Sequence, residues 1–236
     1  MTPEGTGKGV SVAVVDSGIH VGHPHIGNVA GGVGINSEGF GQPDFVDRLG
    51  HGTAVAAAIH EKAPDAMLLA VKVFDRSLST SAIALVAAID WAIGRRVQLV
   101  NLSLGTSDAE HEPALAGAVE RAAAAGVLIV AAVEHQGPRW LPGSQPGVVP
   151  VRLDWECPRD EVGAGEDASG WFLRASGYPR EIPGVPCERN LKGLSFAVAN
   201  ATGFVACFLE GRQGASLLEL ATSLRCERGT PGSRTR

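Results

Sequence analysis

Apolar and polar positions come in blocks along this chain. Five short runs, at 10–15 (VSVAVV), 68–73 (LLAVKV), 99–102, 127–132 and 148–153, are almost wholly apolar. Runs of this length without alternation read as strands buried on both faces. Between them lie stretches with helical spacing. One spans about 52–60. A second, 81–94, places Ile83, Val86, Ile89, Ala92 and Ile93 on roughly one face. A third, 113–125, opens on a proline and stops at Gly126, a favourable start and cap. Strands alternating with helices predict an α/β fold: a three-layer sandwich, its mostly parallel central sheet flanked by helices and joined by right-handed crossovers.

Past residue 153 the blocks dissolve. Residues 154–192 are rich in Gly, Pro and charge, with one weak strand candidate at 170–174. The stretch 195–209 (SFAVANATGFVACFL) is apolar nearly all round, which predicts a helix in the centre of the domain. No repeat or linker divides the chain, so 1–225 reads as one domain and 226–236, rich in arginine, as a flexible tail. A hydrophobic content of 44% with a net charge of −5 excludes a disordered chain. No apolar run approaches the roughly 18 residues of a membrane-spanning helix. A pI near 5.8 offers no basic footprint for nucleic acid. The 4 cysteines lack C-x-x-C spacing and are too few for a disulfide scaffold.

Three places put a reactive side chain where a strand ends or a helix begins. In V-A-V-V-D-S-G-I-H, Asp16 follows a buried strand directly. Functional groups of parallel sheets gather beyond such strand ends. In G-H-G-T, His51 stands between two glycines before an Ala-rich helix. In K-G-L-S-F-A, Ser195 opens the buried helix, where unpaired backbone N–H groups favour developing negative charge. Each alone has an ordinary reading: a turn or capping Asp, a satisfied His, an N-capping Ser. Together they supply a carboxylate to orient an imidazole, an imidazole to take a proton, and a hydroxyl to attack a carbonyl.

The order Asp, His, Ser is that of subtilisin, and the chain resembles the subtilisin-like serine proteases (subtilases) over about residues 9–210. V-A-V-V-D-S-G-I-H-V-G-H-P resembles the family's Asp motif, H-G-T-A-V-A its His motif, and G-L-S-F-A its Ser motif, with Leu194 in place of the usual Thr. A-V-K-V-F, D-W-A-I and V-N-L-S-L-G resemble the section between. The resemblance implies Asp16, His51 and Ser195 as catalytic residues. It implies Ser103, Leu104 and Gly105 as the strand that pairs with an extended substrate. The segment 131–137, including Ala132 and Glu134, resembles the second wall of the pocket for the side chain preceding the cut.

The chain also departs from that pattern. Glu134 and His135 occupy the places of a Gly-Asn pair whose Asn donates to the oxyanion. An ionised carboxylate cannot donate, whereas an imidazole N–H can. Losing one such donor costs about 100- to 1,000-fold in rate, a magnitude known from subtilisin itself. Either His135 replaces the Asn, completing the oxyanion hole with the Ser195 N–H, or the hole is impaired; the first is the expectation. Trp140 stands where a small residue forms the pocket floor, which implies either a narrowed pocket or a cover for the core. Ala199 replaces a usual Pro. Asp44 and Asp47 have the chemistry of cation ligands, with a surface role the expectation. His20, His23 and His25 have the spacing of a metal cluster but lack partner ligands, so no metal and no cofactor are expected. Cys157 and Cys187 bracket the loop-rich stretch, and their pairing stays open. G-T-G-K-G at 5–9 has phosphate-loop composition but precedes a strand.

The expected function is a serine endopeptidase working through an Asp-His-Ser triad and an acyl-enzyme. The absence of a recognisable leader or propeptide suggests a cytoplasmic enzyme trimming a specific precursor peptide, or a domain cut from a longer chain. The expected partner is a peptide or protein bound as an extended strand, with no nucleic acid and no membrane. Two alternatives stay open: an impaired subtilase that binds peptides as a scaffold, and an acyl-transfer variant (ligase or macrocyclase).

Overall fold

A computed structural model of the 236-residue chain describes residues 5–134, 137–212, 214–215 and 217–226. The elements run β1 (Ser11–Asp16), β2 (Val29–Ile35), β3 (Gly41–Gln42), α1 (His51–Lys62), β4 (Met67–Lys72), α2 (Ala82–Gly94) and β5 (Leu99–Leu102). They continue with α3 (Glu112–Ala124), β6 (Leu128–Ala132), β7 (Val148–Leu153), β8 (Val162–Asp167), β9 (Gly170–Ala175), α4 (Leu194–Leu209) and α5 (Leu217–Cys226). The nine strands form one sheet in the order β3-β2-β4-β1-β5-β6-β7-β9-β8. Every pairing is parallel except β2–β3 and β8–β9 at the two edges. β1 lies next to the central strand β5, paired with β4 on its other side.

The strands carry apolar residues on both faces because each face is covered. Val12, Val14, Leu68, Leu99 and Val130 pack with the buried faces of α1 and α4. Ala13, Val15, Val71, Val100 and Ile129 face the other way, against α2 and α3. The result is the expected three-layer α/β sandwich. α4 is its most enclosed element: Phe196 is buried, as is nearly every residue after it to Leu209. Burying one side chain the size of Phe196 stabilises the fold by about 1.5–3 kcal/mol, so α4 is anchored along its whole length.

The expected helices at 52–60, 81–94, 113–125 and 195–209 form with shifts of a residue or two at their ends. Ser81 caps α2, its hydroxyl accepting from the Ala84 N–H at 3.0 Å. Four elements were not visible in the pattern. β2 (VAGGVGI) is diluted by glycines, and it shifts register against β4 between Val29 and Gly32. β3 is only two residues long. β8 (VGAGED) is an edge strand with a polar end, held by β9 alone. Among the described side chains of α5, Leu220 and Ala221 are buried, while Leu218 faces solvent. α5 ends at Cys226, and the tail from 227 lies outside the described residues.

The glycine-rich N-terminal loop has a structural role. Its Thr6 and Gly7 N–H groups donate to the Glu210 carboxylate at 2.6 and 3.1 Å, tying the loop to the end of α4. The amides that gave 5–9 its phosphate-loop look are thus occupied by a side chain of the protein. Cys157 and Cys187 are both free thiols, so the pairing left open does not form.

Candidate active site

The carboxyl ends of the central strands converge on one place. β1 delivers Asp16 there as its last residue, completely buried. The chain turns at Gly18, whose φ of 98° only glycine adopts without strain. His51 is the first residue of α1, which starts tight against that turn. A Cβ at Gly52 would sit 2.3 Å from the Gly18 carbonyl oxygen, so the approach requires glycine. The closeness brings His51 Nδ1 to 2.7 Å from Asp16 Oδ1, which also accepts the Ser17 N–H at 2.7 Å.

Three polar residues behind this pair lock it in place. Asp47 is buried and accepts from the Ser17 hydroxyl at 2.9 Å, from the Leu49 and Gly50 N–H groups at 2.9 Å each, and from Thr53. Both the Thr53 N–H (2.8 Å) and its hydroxyl (2.6 Å) reach the other Asp47 oxygen. Ser17 Oγ accepts the Gly52 N–H at 2.8 Å. Gly50 holds the N-cap position of α1, and the Asp47 side chain serves its start by accepting the Gly50 and Thr53 N–H groups, so the surface role expected for Asp47 is corrected. Burial pushes its carboxyl up, but these hydrogen bonds outweigh it and hold the group below the ordinary carboxylate range. For His51, burial works to lower the pKa. The hydrogen bond and charge of Asp16, with the charge of Asp47, outweigh that and leave the imidazole above its ordinary value.

Ser195 lies in the first turn of α4, half-buried, next to Phe196, whose ring is 5.6 Å from that of His51. Its hydroxyl donates to the Ser103 carbonyl at 3.2 Å, and the Ser103 hydroxyl donates back to the Ser195 carbonyl at 3.2 Å. Asn101 and Thr202 continue this brace: Asn101 Nδ2 donates to Ser103 Oγ at 2.9 Å, and Asn101 Oδ1 accepts from Thr202 Oγ1 at 2.9 Å. It pins the start of α4 to the end of β5. The support residues Ser17, Thr53, Asn101 and Thr202 escaped the sequence reading. Their only signal there was a polar residue within an apolar run or one or two residues after a reactive one.

His51 and Ser195 line one cleft of about 690 Å³ together with Ser103, Leu104, Gly105 and Trp140. Leu78, Ile83 and Val86 add apolar lining, beside the polar Ser79, Thr80 and Ser81. Ala132 is buried, and neither it nor Glu134 lines this cleft. The Glu134 carboxylate instead lies 3.4 Å from Arg152 Nε. Arg152 also holds Asp167 at 2.5 Å and stacks over Phe172 at 3.9 Å. His135 lies outside the described residues. Among the described residues no group of three or more His, Cys, Asp or Glu is placed to hold a metal. Asp44 is exposed and paired with Arg48 at 2.6 Å. His20, His23 and His25 lie on the loop after β1, where the His23 and His25 rings meet edge to face at 5.1 Å. No helix among the described residues is long and apolar enough to cross a membrane.

A parallel sheet that aims a buried carboxylate–imidazole pair at a cleft shared with a helix-start serine defines the architecture of the subtilisin-like α/β proteins. The chain belongs to the Subtilase family, whose sequence profile matches residues 7–148. That stretch holds Asp16 and His51 and ends before Ser195. The chain is 33% identical over 220 residues to the thermostable alkaline protease of Halalkalibacterium halodurans, covering 87% of this chain and 56% of that protein. It spans about half the length of the first curated relatives it matches: 56% of that protease and 55% of subtilisin E of Bacillus subtilis. Among solved structures it superposes on a lanthipeptide protease with a TM-score of 0.72 at 21% identity, covering 94% of this chain and 80% of the other. A prenylagaramide maturation protease matches with a TM-score of 0.64 at 25% identity, covering 94% and 79%.

Proposed function

We propose that this chain is a serine endopeptidase. Asp16 holds the His51 imidazole through its Nδ1. The other ring nitrogen takes the Ser195 proton as Oγ attacks a peptide carbonyl. His51 then returns that proton to the leaving amine, and water resolves the acyl-enzyme. The observation that carries the reading is the 2.7 Å contact between His51 and a fully buried Asp16, beside a cleft that His51 shares with Ser195. In the resting arrangement the Ser195 hydroxyl rests on the Ser103 carbonyl; rotation about its Cα–Cβ bond redirects it.

The substrate in this proposal is a peptide laid in extended form along Ser103–Leu104–Gly105, its main chain bonding to that segment as an added strand. The Ser195 N–H and His135 complete the oxyanion hole. The pairing of Glu134 with Arg152 supports this, because it engages the carboxylate away from the cleft, where it would oppose an oxyanion. The precursor-processing role rests on the likeness to the prenylagaramide maturation protease.

A fluorophosphonate probe tests the reading. Wild-type protein is expected to label on Ser195, and Ser195→Ala protein to stay unlabelled. Folded wild-type protein that resists the probe would overturn the peptidase reading in favour of a peptide-binding module.

A further inference from the structure

Ser195 is held by more than its brace to β5. The chain reaches it through the loop that leaves β9 at Ala175 and enters α4 at Gly193. That loop closes on itself: the Gly193 N–H donates to the Gly177 carbonyl at 2.8 Å. This is the form of an Ω-loop, whose ends meet at its base. The base lies two residues before Ser195.

Asn200 grips that base. It lies in α4 with no exposed surface, between the equally buried Ala199 and Ala201. Its Nδ2 donates to the Ser176 carbonyl at 2.9 Å and to the Tyr178 carbonyl at 3.0 Å. The successive carbonyls of Ser176, Gly177 and Tyr178 are thus all taken by α4, one by the backbone at its start and two by this single side chain. Asn200 Oδ1 is buried with no hydrogen-bond partner among the described residues. The amide cannot turn over, because its oxygen would then face two carbonyl oxygens. A buried amide with one group unpaired is a cost to the fold; what it secures is the distance between α4 and the loop.

The direction of the grip matters. Residues 200 and 202 stand about 200° apart around a helix. Thr202 ties α4 to Asn101 in β5, and Asn200 ties it to the segment that follows β9. Opposed ties of this kind fix the rotation of α4 about its axis. Ser195 stands one and a half turns before Asn200, about 7.5 Å along the same helix, so rotation there carries its hydroxyl toward or away from His51. We propose that Asn200 is a positioning residue for the nucleophile: it touches no reacting atom, and by clamping the base of the loop it sets where Ser195 stands relative to His51.

The inference rests on the peptidase reading, and its test separates the two. Asn200→Leu and Asn200→Asp remove the amide donors with nearly the same side-chain shape. Val205→Ala, a buried change farther along the same helix, leaves both ties intact and serves as the control for lost stability. Each protein is assayed where its unfolding curve shows it fully folded, by peptide hydrolysis and by the rate of fluorophosphonate labelling. The two Asn200 variants are expected to lose about 10- to 100-fold in kcat with KM little changed, and to label more slowly by a similar factor. Asn200→Ser, with room for a bridging water, is expected to fall between them and wild type. Val205→Ala is expected to lower the unfolding midpoint and keep the wild-type kcat. Folded Asn200 variants with wild-type kcat and labelling rate overturn the inference and leave the peptidase reading standing. So does an Asn200 side-chain amide that exchanges with solvent in the wild-type protein as fast as an exposed asparagine, a measurement that needs no variant to fold. Folded wild-type protein that neither labels nor cleaves overturns both.

Discussion

The two sides of the cleft are built on opposite plans. On one side, Asp16 and His51 sit on a central strand and a helix start, backed by Ser17, Asp47 and Thr53 in a buried, mutually bonded set. On the other, the described residues of the crossing from β6 to Trp140, Glu134 and 137–140, are half-buried or exposed. Its polar contacts are peripheral, such as Arg139 with Glu112 at 2.7 Å across the surface. The first side must keep a proton-transfer geometry to within a fraction of an ångström, and dense packing around the strand end does that. The second side must only present a shape. A loop can change its shape without disturbing the sheet, so this side tolerates variation that the strand-end side does not.

That contrast predicts a graded series of effects. The largest falls on the packed side. Asp16→Asn is expected to lower kcat by about 10⁴-fold with the fold retained, as the equivalent change does in an unrelated triad protease; peptide hydrolysis and thermal unfolding of the same sample check it. Next comes Asp47→Ala. It leaves the Thr53 and Ser17 hydroxyls and the N–H groups at the start of α1 without their acceptor. A loss of about 2–4 kcal/mol is expected by denaturant unfolding.

The same variant carries a pH signature. His51 must be neutral to act as base, and its pKa is held above the ordinary value, so wild-type kcat/KM should fall on the acid side with an apparent pKa above about 6.5. Removing the Asp47 charge should move that limb to lower pH. In stability terms the charged His51 favours the fold fully below its unfolded pKa, and this contribution fades as pH rises through the folded value. Asp47 acts oppositely: its contribution is present above its unfolded pKa and is lost as pH falls through the depressed folded value. An acid limb that stays put in a folded Asp47→Ala protein would mean that the charge is not felt at His51. The smallest effect is expected on the loop side. Glu134→Ala removes a half-exposed ion pair and should change stability by under about 1 kcal/mol. A large loss of stability there would erase the contrast.

Much of this molecule was legible before its fold. The five apolar runs became β1, β4, β5, β6 and β7, because strands covered on both faces need no polar alternation and stand out in the chain. Asp16, His51 and Ser195 stood out as candidates because each sits in a run of small or apolar residues where a reactive group is out of place. β2, one strand in from the margin, and the edge strand β8 were not, since glycines and charges near a sheet margin look like loop. Asp47 was misread for a related reason: a carboxylate four residues ahead of His51 reads as surface until the helix N-terminus is folded over it.

The sequence by itself determined the layered architecture and singled out Asp16, His51 and Ser195 as candidates, since hydrophobic periodicity and local motifs are properties of neighbouring positions. Tertiary structure alone decided which carboxylate serves the start of the His51 helix, that Glu134 turns to Arg152, and that the Trp140 ring lies on Gly105. Each of these depends on groups from 6 to 35 positions apart. Only the packing of the sheet and its covering helices brings such groups to van der Waals or hydrogen-bonding distance.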